Sequence, residues 1–131
     1  EIRQGASHAQ LAARALGLGG PAFALDAACA SGLYAVQLAA ERLRRGELDS
    51  ALAVGVQGAD SGWLFFGFTA LSALSPSGVP RPFDRRADGL VIGEGSAAVL
   101  LKRLEDAQRD GDPILAVLRG GALGNDGRSG N

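Results

Sequence analysis

The chain lacks the residues on which several classes of protein depend. Its 131 residues include one cysteine, one histidine and no methionine. One cysteine cannot form an internal disulfide bond, and with one histidine it cannot supply the ligands of a usual zinc site. No apolar run approaches the roughly 20 residues of a membrane-spanning helix. We therefore expect a cytoplasmic protein that binds no metal and has no membrane partner.

An excess of charge of one sign is also lacking. The chain carries 13 Lys and Arg against 14 Asp and Glu, a net charge of −1. Nucleic-acid-binding proteins usually show a basic excess, so we expect no nucleic-acid partner. Apolar and small residues are abundant instead, with 47% hydrophobic residues and 20 glycines. This composition indicates a globular domain with tight turns and close backbone approaches.

The apolar pattern predicts alternating helices and strands, and so a layered α/β fold. Helices are predicted at 6–16, 31–45 and 104–109, and strands at 22–26, 50–57, from Ser96 onward and 114–123. Gly46 is the predicted cap of the second helix, whose apolar first half suggests burial on every side. The segment 63–74 fits either a helix or a strand, and 75–78 has the composition of a turn.

The only cysteine, Cys29, lies between a predicted strand and a predicted helix, within "ALDAACASGLYAV" (24–36). The N-terminus of a helix carries unpaired N–H groups and a partial positive charge, which favour a thiolate. A tight turn there would present the thiol in open space, and the N–H of Cys29 could bind an oxyanion. The alternative is a small buried side chain without a role, which is the commoner situation for a lone cysteine.

A second segment, "RPFDRRADGLVIGEGSAAVLLKRLEDA" (81–107), has an unusual composition for a loop. Phe83 stands among polar residues, and we expect it to pack inward as an anchor. The glycines Gly93 and Gly95 would let the backbone pass close to another element. The carboxylates of this segment are expected to tie down the loop rather than to act in catalysis; they are Asp84, Asp88 and Glu94.

Together these two segments resemble the β-ketoacyl synthase family of the thiolase fold, in its polyketide-synthase and fatty-acid-synthase branches. The resemblance rests on "LDAACASGLYAV" around Cys29 and on "ALSPSGVPRPFDRRADGLVIGEGSAAVLLKRLEDA" downstream. It implies a partial thiolase-like α-β-α fold. Residues 1–131 would then be the nucleophile half of one ketosynthase domain, without a second domain.

The resemblance also implies a chemistry. Cys29 would be the nucleophile of an acyltransferase that carries the growing chain during decarboxylative Claisen condensation. No cofactor or metal would be bound, because the substrates are carried on the phosphopantetheine of an acyl carrier protein. The parent protein would be a homodimer.

The family's two catalytic histidines and its lysine come from segments downstream of those present here. We therefore expect an internal fragment that exposes apolar surface and is inactive by itself. The single histidine, His8, is expected to be an ordinary helix residue. The residues expected to support the site around Cys29 are Asp26, Ala28, Ala30, Phe83, Asp84, Asp88, Gly93, Glu94, Gly95, Asn125 and Asp126.

Two other functions remain open at this point. A thiolase-type enzyme, acting on coenzyme A esters, would share the fold and suit "CASGLYAV", but not the Pro-Phe-Asp loop. A non-catalytic protein resembling a chain-length factor would typically lack the cysteine. The basic cluster Arg42, Arg44 and Arg45 fits a solvated helix end better than a contact with a carrier protein or a dimer mate.

Overall fold

The computed structural model describes residues 7–58, 62–125 and 127. In chain order the elements are α1 (His8–Ala15), α2 (Ser31–Arg44), β1 (Ser50–Gln57), α3 (Gly62–Ala70), β2 (Gly95–Lys102) and α4 (Leu104–Asp110). The strands β1 and β2 pair in a two-stranded sheet. The chain divides into two compact units, one reaching to Gly55 and resuming at Ala98, the other spanning Val56–Ala97. Within the described ranges, no helix is both long and apolar enough to cross a membrane.

Local side-chain and backbone contacts set the ends of the first two helices. At α1, the side chains of Ser7 and Gln10 each accept a hydrogen bond from the other's backbone N–H, forming a capping box. At the end of α2, Gly46 has a left-handed backbone with φ of +71°. The N–H of Glu47 donates to the carbonyl of Arg42 at 3.0 Å, which completes a Schellman-type end. The predicted helices and the predicted role of Gly46 are confirmed.

The predicted strands have mixed outcomes. β1 has the predicted bounds, β2 begins one residue earlier than predicted, and the ambiguous segment is the helix α3. The strands predicted at 22–26 and 114–123 are wrong, since neither segment is assigned to a strand. A strand exists only where its backbone groups pair with a neighbour, and a run of apolar residues does not specify that neighbour.

The core of the described residues is small. The buried apolar side chains are Ala13, Leu43, Ala53 and Ala107. The expectation that the first half of α2 is buried on every side is wrong, because Leu33 is 75% exposed. Large apolar side chains of α3, including Trp63 and Phe66, are also exposed, so the expected exposure of apolar surface is observed.

One arginine links three elements of the first unit. The guanidinium of Arg103 donates to the carbonyls of Leu43 at 3.2 Å and Leu48 at 2.5 Å. It also donates to the carboxylates of Asp49 at 2.9 Å and Asp106 at 2.5 Å. The end of α2, the loop before β1 and the start of α4 are thereby held together by a charge-assisted network.

Asp106 is the buried member of this network, with 8% of its surface exposed. Its carboxylate accepts hydrogen bonds from Arg109 as well as from Arg103. The pKa of Asp106 is lowered mainly by the hydrogen bond from Arg109 and further by that from Arg103, against the opposing effect of burial. The charged form of this side chain therefore favours the folded state.

Asp106→Asn is expected to lower the melting temperature by several degrees at neutral pH, since an amide cannot accept both guanidinium contacts. Because the folded-state pKa of Asp106 is depressed, its contribution is present above the ordinary value of 3.8 and is lost as the pH falls below it. Thermal unfolding from pH 7 to pH 3 should show the two proteins converging in acid. Glu105→Gln, the same change at the exposed neighbour, should have little effect; an equal loss in both variants would contradict the role of Asp106.

Candidate active site

The turn before α2 is held by two polar side chains. The carboxylate of Asp26 accepts the N–H of Ala28 at 2.8 Å. The hydroxyl of Ser31 accepts the N–H of Ala27 at 2.9 Å and donates to the carbonyl of Ala28 at 2.7 Å. The N–H of Ala30 donates to the carbonyl of Ala27 at 3.1 Å, which closes the turn. Every residue from Asp26 to Ser31 other than Cys29 takes part in these contacts.

The backbone of this turn is strained immediately before the cysteine. Ala28 has φ of +49°, in the left-handed region, where a residue with a Cβ is disfavoured by about 1–2 kcal/mol. The hydrogen bonds to Asp26 and Ser31 hold Ala28 there. Local strain that surrounding contacts maintain is typical of functional turns.

Cys29 is exposed at the start of α2. The N-cap of this helix is Ala30, which has no side chain that could cap the first N–H groups. The residues next to Cys29 in the chain, Ala28 and Ala30, have small side chains. The predicted position of the thiol just before a helix is confirmed, but the strand predicted to precede it is absent from 22–26. The alternative of a buried cysteine is wrong. Such a thiol can act as a nucleophile beside N–H groups suited to an anion.

No role was predicted for Ser31 from the sequence, yet its hydroxyl makes two of the hydrogen bonds that support the turn. A signal for it exists, because serine near a helix start often bonds to nearby backbone groups. Asp26 was predicted to support the site, and its carboxylate accepts a hydrogen bond from the N–H of Ala28 in the turn. Ala28 and Ala30 contribute through their backbone groups and their small size.

The second unit contains a closed loop, 74–90. The N–H of Ser75 donates to the carbonyl of Leu90 at 2.9 Å, and the N–H of Leu90 donates to the carbonyl of Ala73 at 2.9 Å. The hydroxyl of Ser75 also donates to the carboxylate of Asp88 at 2.6 Å. The pKa of Asp88 is lowered mainly by its hydrogen bonds from Ser75 and Ser77. Asp88 therefore ties down the loop, as the sequence suggested.

Asp84 ties a smaller turn within this loop. Its carboxylate accepts the backbone N–H of Arg86 at 2.8 Å and the guanidinium of the same residue at 2.8 Å. The side-chain hydrogen bond from Arg86 is the main cause that lowers the pKa of Asp84. This geometry assigns a structural role to Asp84 within the second unit.

The expected inward packing of Phe83 is wrong. Its side chain is fully exposed, and its backbone has φ of +61°. Phe83 lies in a turn that is closed by the N–H of Asp84 on the carbonyl of Arg81 at 3.2 Å. Asp84 turns its side chain to Arg86, while the ring of Phe83 finds no covering neighbour within its unit. Apolar character alone indicated burial, but burial needs a covering neighbour that composition does not specify.

The remaining expected site residues lie in separate local settings. Gly93 and Glu94 line a shallow cavity of about 250 Å³ with Phe65 and Ile92. Gly95 opens β2 with φ of +153°. The side chain of Asn125 accepts the N–H of Gly127 at 2.6 Å. Asp126 lies outside the described residues, and His8 is an exposed residue of α1, as expected.

The arginines at the C-terminal end of α2 form ion pairs with nearby glutamates. Arg44 and Arg45 contact Glu41 at 2.7 and 2.9 Å. The guanidinium of Arg42 lies 5.5 Å from the centre of the Phe23 ring. These contacts support the interpretation as a solvated helix end. In the part of the chain that the structure covers, no group of three or more His, Cys, Asp or Glu is arranged to hold a metal ion.

Comparisons with known proteins agree on one family. Residues 4–107 match the family model described as "Beta-ketoacyl synthase, N-terminal domain". One component of the phenolphthiocerol/phthiocerol polyketide synthase of Mycobacterium tuberculosis is 52% identical over 87% of the chain. The PKS-NRPS hybrid synthetase ATPKS of Aspergillus niger is 49% identical over 88% of it. The chain spans only 6% of the length of each of these curated relatives.

Solved structures give the same result. The "PfaC Keto synthase-Chain length factor" structure is 47% identical, with a TM-score of 0.85 over 92% of the chain and 13% of its own length. The ketosynthase from module 6 of the bacillaene synthase of Bacillus subtilis is 40% identical, with a TM-score of 0.76. That match covers 81% of the chain and 19% of the ketosynthase.

Proposed function

Because the chain belongs to the β-ketoacyl synthase family and has part of the thiolase-like ketosynthase fold, we propose that Cys29 is the acyl-carrying nucleophile of a decarboxylative Claisen condensation. The observation that carries this proposal is the exposed thiol of Cys29 in a strained, hydrogen-bonded turn at the start of α2. Residues 1–131 are then part of one ketosynthase domain that extends polyketide or fatty-acid chains.

In the first step the thiolate of Cys29 attacks the carbonyl carbon of an acyl thioester. A new C–S bond forms, and negative charge develops on the carbonyl oxygen. The N–H of Cys29 and the uncapped N–H groups at the start of α2 supply donors for that oxyanion. Collapse of the intermediate breaks the original C–S bond, and the released thiolate takes up a proton.

In the second step a malonyl-type extender loses carbon dioxide, and the resulting carbanion attacks the acyl group on Cys29. The Cys29 thiolate leaves, which restores the nucleophile. Proton transfer and decarboxylation need histidine and lysine groups that the family resemblance places in segments other than those described. We therefore expect the 131 residues alone to be inactive, with no cofactor or metal bound to them.

The proposed partner is an acyl carrier protein that carries the substrates on its phosphopantetheine. One structural relative is described as "AntDE:AntF (apo): type II PKS acyl-carrier protein in complex with its ketosynthase bound to the hexaketide"; it is 30% identical, with a TM-score of 0.74 over 81% of this chain and 28% of its own length. This relative supports the proposed partnership. A homodimer and a cytoplasmic location stay predictions.

The proposal is tested by acyl transfer to the full-length protein. Incubation with an acyl thioester on a carrier protein should add the mass of the acyl group. Trypsin should release that group on the peptide 15–42, which contains Cys29. Later addition of a malonyl carrier protein should remove the acyl group and release carbon dioxide. Acylation of another residue, or acyl exchange with coenzyme A without decarboxylation, would contradict the proposal, the latter in favour of a thiolase.

A further inference from the structure

Two side chains of α2 hold the segment 120–124. The hydroxyl of Tyr34 donates to the carbonyl of Gly124 at 3.0 Å, and the amide of Gln37 donates to the carbonyl of Gly121 at 3.1 Å. This segment belongs to no helix or strand, and it is exposed. Its backbone groups therefore depend on contacts of this kind for a fixed position.

The contact at Gly121 leaves no room for a Cβ while Gln37 keeps its position. A Cβ built on Gly121 would overlap the side-chain oxygen of Gln37. Gln37 would have to swing away, and its hydrogen bond to the carbonyl of Gly121 would be lost. By contrast, a Cβ at Gly120 or Gly124 would meet nothing within 4 Å. The close approach is therefore specific to the pair Gln37 and Gly121.

The position of Tyr34 brings this segment to the end of α2 that carries the cysteine. Tyr34 lies in the first turns, since its N–H bonds to the carbonyl of Ala30. At 1.5 Å per residue, its Cα is about 6 Å along the axis from the N-cap Ala30, the residue that follows Cys29. Side chains of a helix point toward its N-terminus, so the hydroxyl of Tyr34 reaches back toward the level of the thiol.

We propose that Tyr34 and Gln37 are positioning residues that hold 120–124 beside the start of α2, where it borders the space used by the acyl group on Cys29. The inference rests on the proposed function, because it assigns the segment to that acyl site. The two hydrogen bonds fix the backbone of 121–124, and that backbone would contact the acyl group. Neither of these two bonds involves the thiol of Cys29.

Tyr34→Phe and Gln37→Leu, made in the full-length protein, test this inference. Each should raise the KM for a long-chain acyl carrier protein by about 10-fold, the loss expected from one hydrogen bond, while the kcat of acyl transfer changes less than about twofold. An acetyl group, which is too short to reach far from Cys29, should show a smaller change. Gln57→Leu, the same change at an exposed glutamine whose amide donates to the neighbouring carbonyl of Gly58, is the matched control.

A second measurement does not depend on catalysis. Cleavage by chymotrypsin after Leu123, read by mass spectrometry, should become faster in both variants, because a segment released from α2 adapts more readily to a protease. Cleavage within β1 and the rate of Cys29 alkylation by iodoacetamide should stay as in the wild type. Unchanged cleavage and unchanged KM values would overturn the inference. If the wild type forms no acyl-enzyme, the proposed function fails, but the cleavage data still decide whether Tyr34 and Gln37 hold the segment.

Gly121→Ala completes the test through a double-mutant cycle. It should reproduce the effect of Gln37→Leu on both cleavage after Leu123 and KM, because the added methyl group displaces the same side chain. The two changes together should then cost no more than either alone. Additive effects would show that Gln37 and Gly121 act separately, which contradicts the proposed coupling.

Discussion

Cys29→Ala in the full-length protein is expected to abolish the acyl-enzyme and to reduce condensation by more than about 1,000-fold, since the thioester forms on the Cys29 thiol, the single thiol of the 131 residues. Cys29 is exposed in a turn whose hydrogen bonds come from Asp26 and Ser31. The free energy of unfolding should therefore change by less than about 0.5 kcal/mol. Intact mass after incubation with an acyl carrier protein, together with thermal unfolding, measures both effects.

Two further variants make the result specific to the thiol. Cys29→Ser keeps the shape of the side chain but replaces the thiol with a much weaker nucleophile, so it should also fail to accumulate the acyl-enzyme. Ser50→Ala, at an exposed position of β1, should behave as the wild type. If Cys29→Ala still gains the mass of the acyl group on the peptide 15–42, the nucleophile lies elsewhere.

Gly89→Ala is expected to destabilise the loop 74–90 by about 3 kcal/mol. Gly89 has φ of +145°, which only glycine adopts readily. A Cβ there would lie 2.5 Å from the nitrogen of Ser75 and 2.6 Å from the carbonyl carbon of Leu74. Both are backbone atoms, so the clash can be relieved only by moving the strand-like pairing of Leu74 with Leu90.

Gly78→Ala provides the matched control within the same loop. Gly78 also has a left-handed backbone, with φ of +64°, but a Cβ there would meet nothing within 4 Å. This variant should lose about 1 kcal/mol, the cost of the backbone conformation alone. Limited proteolysis and hydrogen exchange of 74–90 measure the local effect, and thermal unfolding measures the global one. Equal losses in the two variants would show that the clash of a Cβ at position 89 with the backbone of Leu74 and Ser75 adds nothing to the loss of stability.

Local sequence signals were sufficient to place α1, α2 and α4 to within about two residues. Ser7 and Gln10 form a capping box three residues apart, and Gly46 ends α2 through contacts within the preceding turn. The placement of Cys29 before α2 follows from the same local pattern. Such features could be predicted because the interacting groups are near neighbours along the chain.

The tertiary structure decided what depended on distant partners. Residues 22–26 and 114–123 are apolar, yet a strand needs a partner that composition does not name. Phe83 is apolar, yet its ring is exposed, because no neighbour within its unit covers it. Tyr34 and Gln37 find their acceptors 90 and 84 residues away. The sequence by itself thus determined α1, α2 and α4, the family and the position of the thiol, and left α3 undecided between helix and strand. The partners of the strands, of the loop 74–90 and of Tyr34 and Gln37 were decided only when distant segments came together.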